Sequence, residues 1–295
     1  MKWRKLLSVL CLLCLCLAAY SGYQFFASWQ EYAVGEQYYD ELTQFVQLDV
    51  TIPTTPTVAA TDPPEETTQI PTEAEVTTAP TEMEAEVPTE TVAVTTEPTV
   101  AEREPIVWPV VDFEALLEIN PDVVGWIYIP GTNINYPVVC GQDNEYYLYR
   151  LVDGASNKAG SIFMDFRNDR DLVDENTVLY GHHMQNQSMF AHLTKYMDQS
   201  FYDAQPYGFF LTPENNYLVE FFSGYVTDVS AEAWKLRFAS YDQFSQWLNQ
   251  ISVRSYFANQ VYVTAYDRIL TLSTCTFDYD DARFVLHGVL REMGD

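Results

Sequence analysis

The sequence predicts a mainly β fold, a barrel or sandwich with helical decorations. Three observations carry this. Short runs of alternating or continuous apolar residues recur through the C-terminal two-thirds of the chain, and turn signals such as PGT, GQDN and PENN separate them. One amphipathic helical run interrupts them shortly before the last two strand patterns.

The elements follow in order. Asp112–Glu118 has a short helical pattern, with Pro121 marking its end. Strand patterns cover Val124–Ile129, Tyr136–Val139, Ser161–Phe166, Thr177–Tyr180, Phe209–Leu211, Tyr217–Thr227, Val261–Cys275 and Arg283–Leu290. The helical interruption is Tyr241–Phe257, with Phe244, Trp247, Leu248 and Ile251 on one face. So many short strands read as a mainly antiparallel barrel or sandwich.

Two other compositions precede this domain. Lys2, Arg4 and Lys5 lead into an apolar stretch from Leu6 to Phe26. As a helix it is about 30 Å long, the thickness of a bilayer's hydrocarbon core. Basic residues on its N-terminal side place the N-terminus in the cytoplasm and the rest outside. A cleaved signal peptide is the competing reading, and either way the bulk of the chain is exported. Trp29–Val46 has a roughly helical spacing of apolar residues. Between Thr51 and Pro105 lies an imperfect Pro-Thr-Glu repeat with twelve acidic residues against Arg103 alone. Such a stretch cannot bury enough apolar surface to offset its ordering entropy, so a disordered tether is expected. Extended, it spans on the order of 150 Å. A spacer to the working domain and an O-glycosylated stalk both fit. The expected organisation is an anchor over 1–28, a juxtamembrane helix over 29–50, the tether over 51–105 and the working domain over 106–295.

Charge and cysteine usage exclude several functions. The 295 residues carry 42 acidic and 15 basic groups, a net charge of −27, which lacks the basic face that nucleic acid requires. Cys11, Cys14 and Cys16 lie in the apolar run, so only Cys140 and Cys275 remain for the folded domain. A disulfide-stapled mini-protein is excluded. No His/Cys/Asp cluster has zinc spacing, no Gly-rich phosphate loop occurs, and DYDD near Cys275 reads as a solvated acidic turn.

Three residue types could carry chemistry at strand edges. Cys275 ends the β-patterned TLSTC; His182 and His183 follow the strand TVLY in YGHHM; Arg283 opens the last strand in DARFVLHG. A thiolate nucleophile, a nearby imidazole and a guanidinium on a developing oxyanion make an acyl-transfer site. By spacing alone, each also has an ordinary structural reading: a buried thiol, a core histidine, an ion-paired arginine.

TLSTC followed by DARFVLHG, with YGHHM upstream, resembles the signature of the sortases, cysteine transpeptidases of Gram-positive cell surfaces. NPDVVGWIYIPGTNINYPVV, DNEYYLYR, GSIFMDFRND and SYDQFSQWLNQISVRSYF look like the class B subgroup. The resemblance covers roughly residues 112–292. It implies a sortase-like closed β-barrel with a leading helix and a helix inserted before the cysteine strand. Cys275 is then the nucleophile, His182 the general acid/base and Arg283 the oxyanion ligand; Ser273 matches a substrate-binding position. His183 is a decoy, because the family's histidine directly follows the motif glycine, here Gly181. His192 and His287 have no motif support, and Cys140 reads as a packing thiol. The implied reaction needs no cofactor. Its partners are exported proteins bearing a C-terminal sorting signal, cleaved at Thr, and a peptidoglycan amine; the membrane holds the enzyme through its N-terminal helix. The long tether departs from the class B pattern, so Trp29–Val46 is expected to stand clear of the barrel.

The residue order argues against three rivals. A papain-like hydrolase places Cys before His, an L,D-transpeptidase has Gly where Thr274 stands, and a class C pilin polymerase carries a lid segment. A thiol hydrolase of the cell wall and a catalytically inactive binding module remain as alternatives.

Overall fold

A computed structural model describes residues 2–48, 107–275 and 281–292. Residues 2–48 and 108–292 belong to one compact unit.

Eight strands close into a barrel: β3 (Val123–Tyr128), β4 (Asn135–Val139), β5 (Ile162–Met164), β6 (Asn176–Tyr180), β7 (Tyr207–Leu211), β8 (Asn216–Asp228), β9 (Ile269–Cys275) and β10 (Ala282–Glu292). Around the barrel the order is β10-β8-β7-β3-β4-β5-β6-β9. Every predicted strand is present. Two neighbours, β4 with β5 and β6 with β9, run parallel; the other pairs are antiparallel. The wall buries Trp126, Val138, Ile162, Val178, Phe209, Phe221, Leu272 and Phe284. Full closure removes the exposed edges that an open antiparallel sheet must protect.

Sequence and structure differ in extent at three places. The last helix, Tyr241–Ser252, stops five residues short of the expected Phe257. Its start follows the sequence: Ser240 Oγ accepts from Gln243 N while Gln243 Oε1 accepts from Ala239 N. Phe244, Trp247, Leu248 and Ile251 pack on Phe222, Ile269, Val285 and Val289. Only the second half of Val261–Cys275 is strand. Before it, Asp267 closes a turn by accepting from Thr264 N at 2.7 Å, and Arg291 bonds Asp267 and the Tyr262 carbonyl. The short helix Gln199–Ala204 and the 3-10 segments Tyr146–Tyr149 and Ala191–Met197 are too brief for a period to announce them.

The largest correction concerns the N-terminal segment. A single helix, α1, runs from Lys2 to Leu42, and Trp29–Val46 does not stand clear of the barrel. Gly35, Tyr39 and Leu42 recur at helical spacing on one face of α1 and are buried, and Val46 follows, also buried, in extended backbone. Tyr39 meets Tyr136 edge-on at 5.2 Å. Asn157 Nδ2 donates to the Glu31 carbonyl at 2.9 Å, and Lys158 pairs with Glu31 at 3.1 Å. Then β1 (Val46–Gln47) pairs antiparallel with β2 (Val110–Val111), which leads into α2 (Phe113–Ile119) capped by Asp112. Residues flanking the Pro-Thr-Glu stretch therefore meet in register. The tether itself, residues 51–105, lies outside the described residues, as do residues 276–280, which hold most of the DYDD turn. The span Cys11–Phe45 is long and apolar enough to cross a membrane.

Candidate active site

Three adjacent strands bring the signature residues to one end of the barrel. Cys275 is the last residue of β9, and its backbone is directly across from Arg283 of β10. On the other side, β9 runs parallel to β6 with Ser273 opposite Tyr180. Gly181 N donates to the Ser273 carbonyl at 3.1 Å, prolonging that pairing. His182 is two residues past Tyr180, and Cys275 two past Ser273, so both take the same step beyond the last paired position. The barrel thus aligns cysteine, histidine and arginine on neighbouring chains. Only the backbone of Cys275 is among the described features.

Gly181 has a steric reason. A Cβ there would come within 2.5 Å of Ile162 Cδ1 and 2.8 Å of the Phe190 ring. The chain therefore turns from β6 into His182 without a side chain, against a packed wall.

His182 is half-buried rather than free on a rim. Its Nε2 is 2.7 Å from the Leu148 carbonyl oxygen, and the Tyr149 ring is 5.6 Å from the imidazole. A carbonyl can only accept, so Nε2 carries a hydrogen and Nδ1 is the ring nitrogen left for proton transfer. Burial lowers the imidazole's pKa below the usual histidine range, against the opposing pull of the Leu148 bond. Backbone amide Phe190 N donates to the His182 carbonyl at 2.9 Å, fixing the segment that follows.

Arg283 is half-buried, and among the described residues its guanidinium makes one hydrogen bond, from Nη1 to the Ala282 carbonyl at 3.0 Å. Ser273 is in the barrel wall, only 3% exposed, and its Oγ accepts from Trp234 Nε1 at 3.1 Å. Its hydroxyl thus holds an indole beside the site, a contact that the sequence did not reveal.

His192, His287 and Cys140 have partners of their own away from the cluster. His183 forms an isolated antiparallel bridge with Met189. His192 Nδ1 accepts from Asn133 N at 3.0 Å. His287 is fully buried, with Nδ1 donating to Thr271 Oγ1 at 2.8 Å, and burial pushes its pKa down to about 3. Cys140 is buried, with its pKa raised by burial, as a packing thiol should be.

One support behind the site had no signal in the sequence. The buried Asp165 takes two bonds from Arg167, at 2.9 and 2.7 Å, and accepts from Tyr180 Oη at 2.9 Å. Burial pushes the Asp165 carboxyl up, yet the Arg167 and Tyr180 bonds outweigh it and hold it below the usual range. That network steadies the last residue of β6, two positions before His182.

A closed eight-stranded barrel with a cysteine-bearing strand end beside histidine and arginine strands defines a class, the β-barrel cysteine transpeptidases. A family model described as the sortase domain matches residues 127–291, and the chain belongs to the sortase family. Sortase B of Listeria monocytogenes is 39% identical over 177 residues, which cover 59% of this chain and 72% of that protein. Sortase B of Staphylococcus aureus is likewise 39% identical over 169 residues, covering 57% of this chain and 69% of its own. Among solved structures, the Staphylococcus aureus sortase B–substrate complex superposes with a TM-score of 0.59 at 37% identity, covering 62% of this chain and 85% of that one. The class B resemblance read from the sequence therefore holds, and so does its closed barrel.

Proposed function

We propose that this sortase cleaves a C-terminal sorting signal at a Thr carbonyl through a thioester on Cys275 and passes the acyl group to a peptidoglycan amine. The observation that carries the reading is the register, which aligns Cys275 with Arg283 across β9–β10 and with His182 along β6. It is supported by the relatives, since the Staphylococcus aureus sortase B was solved with a substrate.

The steps follow from the residue chemistry. The Cys275 thiolate adds to the Thr carbonyl carbon, and two guanidinium N–H groups of Arg283 can bond the resulting oxyanion. The peptide C–N bond then breaks as His182 gives the departing amine the proton that its Nδ1 took from the Cys275 thiol. An incoming amine adds to the thioester, loses its proton to His182 and expels the thiolate. Two steps keep the energy of the broken peptide bond in the thioester, so the exchange needs no nucleotide. Proximity favours a held amine over water. Ser273 acts through Trp234, which it fixes beside the substrate strand. The apolar part of α1 anchors the enzyme, with Lys2, Arg4 and Lys5 on the cytoplasmic side and the barrel outside.

The full chain in detergent, offered a library of Thr-containing pentapeptides, tests the reading by mass spectrometry with and without a small amine. The expected product with amine is the ligated peptide at the Thr carbonyl. Hydrolysed peptide alone at saturating amine would replace the transpeptidase by a thiol hydrolase.

Arg283→Lys is a sharper probe of one role. Lysine keeps the charge but lacks the planar fork, so turnover should fall about 10²–10³-fold, the loss typical of an oxyanion donor. A rate near wild type would reduce Arg283 to a surface group.

A further inference from the structure

Two structural chains connect α1 to His182. On the first, Tyr39 Oη donates to the Gly160 carbonyl at 2.6 Å and is 3.2 Å from Ser161 Oγ. Ser161 in turn grips the 3-10 segment 146–149: its N donates to the Tyr147 carbonyl at 3.0 Å and its Oγ to the Arg150 carbonyl at 2.8 Å. Between those two carbonyls is that of Leu148, the acceptor of His182 Nε2–H. Gly160 has φ +61°, and a Cβ on it would collide with the Leu148 carbonyl oxygen. The 160–161 turn therefore backs directly onto the group that orients the imidazole.

The second chain reaches the other side of His182. The Tyr39 ring packs edge-on against Tyr136, whose hydroxyl accepts from Met189 N at 3.0 Å. The next residue, Phe190, donates its N–H to the His182 carbonyl. One buried tyrosine of α1 thus abuts both the acceptor that sets the histidine tautomer and the segment that holds its backbone. The hydroxyl is 121 positions from Gly160 in sequence, so no local pattern announces the contact.

We propose that Tyr39 is a positioning residue for His182, acting through Gly160 and the Leu148 carbonyl to hold the imidazole as the Nε2–H tautomer. The proposal rests on the reading of His182 as the acid/base. It makes docking of α1 part of the site's preorganisation: sub-ångström displacement of the Leu148 carbonyl weakens the one bond that selects the tautomer.

The test uses the full chain in detergent, labelled with ¹⁵N-histidine, since the chain has only four histidines. Tyr39→Phe removes the hydroxyl and keeps the ring. The expected result is a His182 ring shifting from Nε2–H toward mixed tautomers, with kcat for the library-selected peptide down about 5- to 10-fold and KM within about twofold. Leu42→Ala opens a cavity on the same helix face away from this contact. It should lower the melting temperature while leaving the His182 signals and kcat in place. An unchanged tautomer in Tyr39→Phe overturns the proposal, and so does an equal shift in Leu42→Ala. Loss of the fold in Tyr39→Phe also overturns it, because the hydroxyl is then a global structural group. A parallel His182→Ala assay separates the two levels. If that variant stays active while the Tyr39 tautomer effect is present, the acid/base reading fails and the role of Tyr39 in the reaction falls with it. If it is inactive and Tyr39→Phe has no effect, only the role of Tyr39 falls.

Discussion

Cys275→Ala should abolish cleavage of the selected peptide, a loss on the order of 10⁴-fold or more, with no measurable change in the melting transition. The two halves of this expectation have separate causes. Activity is lost because no other thiol of the barrel can replace the nucleophile. Cys140 is buried beside the Arg170 and Asp122 groups, and burial raises its pKa, so it supplies neither access nor thiolate. The fold is retained because Cys275 contributes to β9 through its backbone, paired with Arg283, and alanine keeps that pairing. Calorimetry and mass spectrometry on the same preparation separate the outcomes. Retained cleavage would remove Cys275 from the reaction altogether.

The legibility of this site in the sequence follows the range of each interaction. Strand alternation is local, so all eight strands could be read, and TLSTC, YGHHM and DARFVLHG mark strand ends because their apolar periods stop there. The parallel pairing of β6 with β9 was not legible, since nothing in a strand's own composition states its neighbour's direction. Nor was the Leu148 carbonyl, a backbone atom that any residue would supply. The docking of α1 departs from the sequence expectation for a definite reason. A long acidic Pro-Thr-Glu stretch separates Trp29–Val46 from the barrel in sequence, which predicts separation in space. The pairing of Val46 with Val111 instead shows the two flanks side by side. Tyr39 and Leu42 stand on the one face of α1 that packs, and Val46 follows in β1.

The same reasoning makes His182 the most exacting test of the chemistry. His182→Ala should lower both acylation and ligation by about 10²–10⁴-fold, the range of general acid–base catalysis, because one imidazole serves both half-reactions. His183→Ala should leave the rate within about threefold, since its backbone bridge to Met189 does not require the ring. The pH dependence follows from the environment. Burial lowers the His182 pKa, so at neutral pH the ring is mostly uncharged and only a minority holds the proton that the leaving amine needs. Acylation needs the histidine to hold its proton and the thiol to have lost its own, two demands of opposite pH sense, so the profile should be bell-shaped. In His182→Ala the residual rate should lose the limb that the histidine supplies. Stopped-assay mass spectrometry across pH reads both limbs in one experiment. A His182→Ala rate near wild type with an unaltered bell would mean another group moves the proton. If the bell instead disappears in His183→Ala, the acid/base is the second histidine of YGHHM, and the motif had been aligned one residue too early.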